Sequence, residues 1–170
     1  MKTPAIAAVL ALATASALGQ APQKPPPRCV DPVYRQFDFW IGRWEVTNLK
    51  GVKVGDSEIT REEDGCLIVE HWTSASGNHG QSYNFYDAGR KVWRQVWVAP
   101  GEMTDYAGSL NAKGEMALDG VSQQSGGHTQ KSRGLWTANA DGTVTQNFKV
   151  WDPGKKAWVE DFTGIYSRKG

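Results

Sequence analysis

The stretch SYNFYDAGRKVWRQVWV, which runs from Ser82 to Val98, contains two segments in which aromatic or β-branched residues recur at alternate positions. Asp87-Ala88-Gly89 separates the segments, and Asp and Gly at such a point are typical of a reverse turn. Alternation with a period of two is the pattern of a β-strand that buries one face. This stretch therefore predicts a β-hairpin.

The same pattern continues over the rest of the chain from Ile41 onward, with turn residues at short, even intervals. No segment shows the βαβ rhythm, the GxGxxG motif or the P-loop of a nucleotide-binding fold. Ten strands are predicted, at about residues 42–49, 52–61, 66–73, 81–87, 91–98, 103–110, 115–121, 130–137, 143–151 and 157–167. A helix is expected only before the first strand, at residues 32–39.

Consecutive hairpins close most simply on themselves, because closure removes exposed strand edges. The sequence therefore predicts an all-β fold, an antiparallel up-and-down barrel of about eight to ten strands with a short N-terminal helix.

Composition limits the classes of partner. A length of 170 residues is typical of a single domain. The chain contains 19 Lys and Arg residues and 18 Asp and Glu residues. A net charge of +1 argues against a nucleic-acid partner, which needs a basic face, and against a polybasic membrane anchor. Eight Trp residues in so short a chain indicate a compact, aromatic-rich domain.

The N-terminus has the pattern of a secretory signal peptide. Lys2 precedes an apolar, Ala-rich run over residues 5–18, which is too short to span a membrane. Cleavage is expected after Gly19, with Ala17 as the alternative. We predict a signal peptide at residues 1–19, a Pro-rich tether at 20–28 and a single barrel domain at 29–170, in a periplasmic or secreted protein.

The two cysteines, Cys29 and Cys66, predict one disulfide bond, since an exported protein folds in an oxidising compartment. Neither lies in a CxxC motif, so a metal-binding or nucleophilic role is disfavoured. Pro26, Pro27 and Arg28 precede Cys29 where a lipid-attachment signal requires small residues. No membrane anchor is therefore expected.

The motif FDFWIGRW, Phe37 to Trp44, places a short aromatic segment before a GxW strand, and the last predicted strand is followed by Arg168. This arrangement resembles the lipocalin and calycin signature. The resemblance implies that Gly42 permits a sharp entry into the first strand. It also implies that Arg168 packs over Trp44 at the closed end of the barrel.

A longer pattern resembles a group of uncharacterised exported bacterial proteins with predicted calycin-like barrels. The chain differs from true lipocalins in its length and in lacking a middle motif of the TDY type, and no catalytic residue is implied by the group. The pattern consists of FDFWIGRW, Gly65-Cys66, Glu70, Trp72, Tyr86-Asp87 and Trp93-x-Gln95-x-Trp97-Val98.

Alternate residues of a barrel strand face the lumen. Both faces of the central strands carry apolar residues, so alternation alone leaves the choice open. We favour the face that combines aromatic rings with amides and carboxylates, the composition of a ligand pocket. The predicted ligand-binding residues are Trp72, Asn84, Tyr86, Trp93, Gln95, Trp97 and Trp158. Under the alternative interpretation, the Trp side chains only fill the core.

Four further side chains are candidates for chemistry. Glu70 and Glu160, if lumenal, would be desolvated carboxyl groups with a raised pKa, suited to general acid or base catalysis. Arg133 and Tyr106 would complete such a set. The alternative is a structural ion pair between Arg133 and a carboxylate.

The three histidines do not form a metal site in the sequence. His71 lies on the face opposite to Glu70, and His79 and His128 fall in Gly-rich connections. We therefore predict no metal and no cofactor. The connections themselves, residues 74–80 and 122–130, are expected to be the longest loops, which gate the barrel or contact the ligand; plain flexible surface loops are the alternative.

Three functions remain open from the sequence. The favoured hypothesis is an exported barrel that binds a small hydrophobic or aromatic ligand in its lumen. A cofactor-independent isomerase, cyclase or lyase is the alternative. A structural envelope protein without a ligand is the third, and it requires a lumen packed solid. The sequence does not indicate an oligomeric state.

Overall fold

The computed structural model describes residues 28–170 and confirms the predicted fold. Ten antiparallel strands follow one another around a closed barrel, in which the last strand pairs with the first. The strands are β1 Gly42–Thr47, β2 Lys53–Glu62, β3 Leu67–Ser74, β4 His79–Asp87, β5 Val92–Ala99, β6 Glu102–Leu110, β7 Met116–Gln124, β8 Thr129–Ala138, β9 Val144–Asp152 and β10 Ala157–Arg168.

The N-terminal helix consists of two short 3-10 helices, Pro32–Arg35 and Asp38–Trp40, with a third, Glu63–Gly65, between β2 and β3. The predicted signal peptide, residues 1–19, and all of the predicted tether except Arg28 lie outside the described residues. No helix within residues 28–170 has the length and apolar character needed to cross a membrane.

The hairpin predicted from Ser82–Val98 forms with the expected register. Asn84 pairs with Gln95, and Tyr86 pairs with Trp93, so side chains of the same parity share one face of the sheet. The residues of this face point into the barrel, since Asn84 and Gln95 are buried. The polar and aromatic face of β4 and β5 is therefore the lumenal one, which confirms the predicted orientation of this face.

The N-terminal segment closes one end of the barrel with aromatic rings. Phe37 and Trp40 are fully buried and stack with ring centroids 5.1 Å apart. Phe37 also meets Trp93 and Trp136 edge to face, at 5.7 and 5.4 Å. Such contacts bury large apolar surfaces, so this end is a solid floor.

The start of β1 is built around Trp44. Its indole Nε1 donates a hydrogen bond to the carbonyl of Trp40 at 2.9 Å. The guanidinium of Arg168 lies 4.4 Å from the centroid of the Trp44 ring, and its Nη1 donates to the Ile41 carbonyl at 3.3 Å. Gly42 has a φ of 147°, and a Cβ there would lie 2.6 Å from Arg168 Nη1, so glycine is required.

The predicted disulfide bond is present. Cys29 and Cys66 are bonded across a sequence separation of 37 residues, with their Cα atoms 5.1 Å apart. Arg35 reinforces the link, because its Nη2 donates to the carbonyls of Cys29 and Gly65 at 2.9 and 2.6 Å. The N-terminal segment is thereby fixed to the start of β3.

Two connections are shorter than expected. The strands extend into both segments, 74–80 and 122–130, so only the four-residue turns at 75–78 and 125–128 remain between strands. The prediction of long gating loops is wrong. Backbone hydrogen bonds such as Gln124 to the His128 carbonyl, 2.9 Å, keep the strands paired up to the turn.

Candidate functional site

A cavity of about 340 Å³ occupies the lumen above the aromatic floor. It is open at the end opposite to Trp44, because its lining residues come from the ends of β3, β5 and β7 and the starts of β6 and β8. The lining combines Glu70, Trp72, Gln95, Trp97, Glu102, Thr104, Tyr106, Ser122, Gln124, Gln130, Ser132, Gln146, Phe148, Val150, Asp161, Phe162 and Tyr166.

Glu70 on β3 is the buried acid of this cavity, with 3% of its surface exposed. Each carboxyl oxygen accepts one hydrogen bond at 2.9 Å, from Ser57 Oγ on one side and Ser82 Oγ on the other. Burial raises the pKa of Glu70 to about 7, against the opposing effect of hydrogen bonds from Ser57, Ser82 and Tyr166. Glu70 therefore exchanges its proton near neutral pH.

A chain of hydrogen bonds runs from Glu70 towards the floor. Asn84 Nδ2 donates to Ser82 Oγ at 2.9 Å and to the Ile68 carbonyl at 3.1 Å. Asn84 Oδ1 in turn accepts from Gln95 Nε2 at 2.7 Å. Because every link is buried, this network holds the Gln95 amide and the Glu70 carboxyl in fixed orientations.

The opposite wall is lined by hydroxyl groups. Tyr106 shares a hydrogen bond with Ser132 at 2.7 Å, and Thr104 shares one with Ser122 at the same distance. Burial, with the nearby charges of Glu102 and Asp161, raises the pKa of the Tyr106 phenol to about 12. Tyr106 is therefore a neutral hydrogen-bonding group at physiological pH.

Two tryptophans of the cavity wall lie against glycines. The Trp72 ring covers Gly55, where an added Cβ would lie 2.5 Å from the ring, and the Trp97 ring covers Gly80 in the same way. A side chain at either glycine would push the ring into the lumen. The two glycines therefore keep the cavity open between its aromatic walls.

Three carboxyl groups face the cavity, Glu70 in its depth and Glu102 and Asp161 nearer its mouth. Among the residues that the structure describes, none of those lining the cavity is Lys, Arg or His. The cavity is thus an acidic site with aromatic walls.

The seven predicted ligand-binding residues divide into three groups. Trp72, Gln95 and Trp97 line the cavity. Asn84, Tyr86 and Trp93 lie beneath it: Trp93 Nε1 donates to Gln36 at 3.1 Å, and Tyr86 meets Tyr34 edge to face at 5.5 Å. Trp158 lies on the outer face, as described below.

The predicted lumenal orientation of Trp158 and Glu160 is wrong. The pairing of β10 with β9 shifts between Glu160 and Phe162, where a bulge reverses the alternation along the strand. Phe162 and Tyr166 consequently line the cavity, whereas Glu160 is exposed. Hydrogen bonds from Thr163 and Asn147 hold the pKa of Glu160 below its usual value, the opposite of the predicted shift.

Arg133 also lies outside the lumen. Its Nε donates to Asp119 at 2.7 Å, and its guanidinium stacks 4.0 Å from the centroid of the Trp158 ring. Trp158 also meets Trp151 at 5.7 Å. Of the four candidates for chemistry, only Glu70 and Tyr106 line the cavity, and Arg133 forms a surface ion pair with Asp119.

Sequence reasoning missed the wall that β6 to β9 contribute. Thr104, Ser122 and Ser132 are small hydroxyl residues, and Gln146 is an amide, so none stands out by composition. The signal was present in the alternation, since each lies in register with a lumenal residue of the neighbouring strand, as Thr104 does with Trp97.

No protein-family model matches this chain, and no curated protein matches it significantly. Within residues 28–170, no group of three or more His, Cys, Asp or Glu side chains is placed to hold a metal ion.

Proposed function

We propose that this protein is a binding barrel that holds one small molecule with an aromatic or apolar ring in its lumen. The observation that carries the proposal is the cavity of about 340 Å³ whose lining includes the rings of Trp72 and Trp97. Its volume is within the range of small-molecule sites. The fully packed floor beneath it shows that the aromatic residues fill the rest of the barrel, so the open space is confined to one end.

Export to the periplasm or the exterior is part of the proposal. The Cys29–Cys66 disulfide supports it, since such bonds persist in oxidising compartments. The contact of Arg168 with Trp44 likewise supports kinship with the calycins.

Titration with N-phenyl-naphthylamine, whose fluorescence rises in an apolar site, tests the proposal. Saturable binding to the mature protein is expected. Gln124→Phe, which places a ring at the mouth of the cavity, should weaken binding at least about tenfold. Gln123→Phe is the matched control, because Gln123 is exposed on the outer face of the same strand. Absence of binding, or equal loss in both variants, would contradict a lumenal site.

A second candidate function is acid–base catalysis on the bound molecule, favoured by the pKa of Glu70 near 7 at the cavity wall. It predicts that Glu70→Gln abolishes turnover and leaves ligand binding intact. Glu160 and Arg133 take no part, since both lie outside the lumen. The third hypothesis, an envelope protein without a ligand, requires a solid lumen, and the cavity does not meet that requirement.

A further inference from the structure

We propose that the lumen selects small organic cations, with a protonated amine at the Glu70 carboxylate and the Gln95 carbonyl and an attached ring against Trp72 and Trp97. This inference rests on the proposed function and narrows the ligand to a class.

The charge of the cavity is the first argument. Glu70, Glu102 and Asp161 face it, and no cationic side chain of the described residues shares the lining. Carboxylates that face a cavity without a counter-ion attract a cation and repel an anion, and the field of the buried Glu70, once ionised, is the least screened of the three. An anionic ligand is therefore disfavoured.

The orientation of Gln95 is the second argument. Asn84 Nδ2 donates to the Ile68 carbonyl, so Asn84 Oδ1 is the atom that faces Gln95. Because Asn84 Oδ1 can only accept a hydrogen bond, the Gln95 atom in contact with it is the donor, Nε2. Gln95 Oε1 therefore points away from Asn84. No group within residues 28–170 donates to this oxygen, although Gln95 is only 2% exposed and lines the cavity.

The oxygen is thus an acceptor that no protein group occupies and that lines the cavity, and a ligand N–H group would satisfy it.

The capacity of Glu70 is the third argument. A carboxylate accepts about four hydrogen bonds; Ser57 and Ser82 supply one to each oxygen, and Tyr166 also donates towards this carboxyl. The remaining lone pairs are available to an ammonium group. Arrival of a cation would stabilise the ionised form of Glu70, so binding and deprotonation of this carboxyl reinforce each other.

The aromatic walls are the fourth argument. Trp72 and Trp97 belong to the strands on either side of the one that carries Ser82, and each ring lies against a glycine, Gly55 and Gly80 respectively. Indole faces attract cations and stack on ligand rings. A ring that carries an amine on a short chain therefore matches both the walls and the acceptors.

Isothermal titration with three probes of similar size and different charge tests the inference: phenethylamine, phenethyl alcohol and hydrocinnamate. Phenethylamine is expected to bind at least about tenfold more tightly than the alcohol, and hydrocinnamate more weakly than both. Equal binding of amine and alcohol, or tighter binding of hydrocinnamate, would overturn the inference and leave lumenal binding standing. If none of the three binds, the inference fails, and N-phenyl-naphthylamine then decides whether the proposed function fails as well.

Variants locate the charge that selects the amine. Glu70→Gln should weaken the binding of phenethylamine about tenfold to hundredfold and change the binding of phenethyl alcohol little. Glu160→Gln is the matched control, since it removes the same charge from the outer face and should change neither. Asp161→Asn removes a charge at the exposed mouth and serves as the test if Glu70→Gln does not fold. It should weaken the binding of phenethylamine about twofold to fivefold. Unchanged amine affinity in both lumenal variants contradicts the inference.

Discussion

The buried carboxyl of Glu70 should make the stability of the barrel depend on pH in a direction opposite to that of most acids. In the unfolded chain its pKa is 4.5, and burial raises it to about 7 in the barrel. Above 4.5 the unfolded chain therefore releases this proton while the folded barrel retains it. The contribution of Glu70 to stability is complete below about 4.5 and is lost as the pH rises to about 7.

The magnitude follows from the two pKa values. A tenfold change in proton affinity corresponds to about 1.4 kcal/mol, so the loss on passing from pKa 4.5 to about 7 is on the order of 3 kcal/mol. A typical domain has a free energy of unfolding of about 5–15 kcal/mol, so an effect of this size is measurable.

Urea denaturation of wild type and Glu70→Gln at several pH values, with the disulfide intact, measures the effect. Other titrating groups are common to both proteins and cancel in the difference between their free energies of unfolding. Relative to Glu70→Gln, the wild type should lose about 3 kcal/mol of its free energy of unfolding between about pH 4 and pH 8. A difference that is independent of pH would refute the desolvation of Glu70, and a shift in favour of the wild type would show that its hydrogen bonds outweigh burial.

Three further predictions concern stability. Replacing both cysteines of the disulfide by serine removes a link across 37 residues and should lower the free energy of unfolding by about 4 kcal/mol, measured by urea denaturation. Arg168→Ala removes the cation over Trp44 and should cost about 0.5–2 kcal/mol, an effect that high salt should not abolish because stem packing is lost as well. Gly80→Ala forces a Cβ to within 2.5 Å of the Trp97 ring and should cost about 1–3 kcal/mol by thermal denaturation, whereas Gly89→Ala in the turn between β4 and β5 should change stability by less than about 0.5 kcal/mol.

Local sequence patterns were sufficient to predict the fold. Alternation and turn chemistry gave all ten strands, because each hairpin is specified by residues that are near one another in the chain. The disulfide followed from the expected compartment, and the contact between Trp44 and Arg168 was implied by the resemblance to the calycin signature. The disulfide bond fixes the N-terminal segment to the start of β3, and Arg168 packs on Trp44 at the closed end of the barrel.

The site was predictable only in part, because it depends on features that one strand does not reveal. The bulge before Phe162 reversed the orientation of Trp158 and Glu160, and a bulge leaves no signal in an alternating pattern when both faces carry aromatic residues. The division of the lumen into floor and cavity also depends on packing. Tyr86 and Trp93 lie on the same face of the sheet as Trp97 but beneath the cavity, against the N-terminal segment.

The most direct test of the central claim is a proton–nitrogen correlation spectrum of the protein titrated with phenethylamine. The indole N–H signals of Trp72 and Trp97, at the cavity wall, should shift and saturate together. Those of Trp151 and Trp158, which pack against each other outside the lumen, should not move. Shifts confined to the outer pair, or no shift of Trp72 and Trp97 at saturating ligand, would contradict a lumenal binding site.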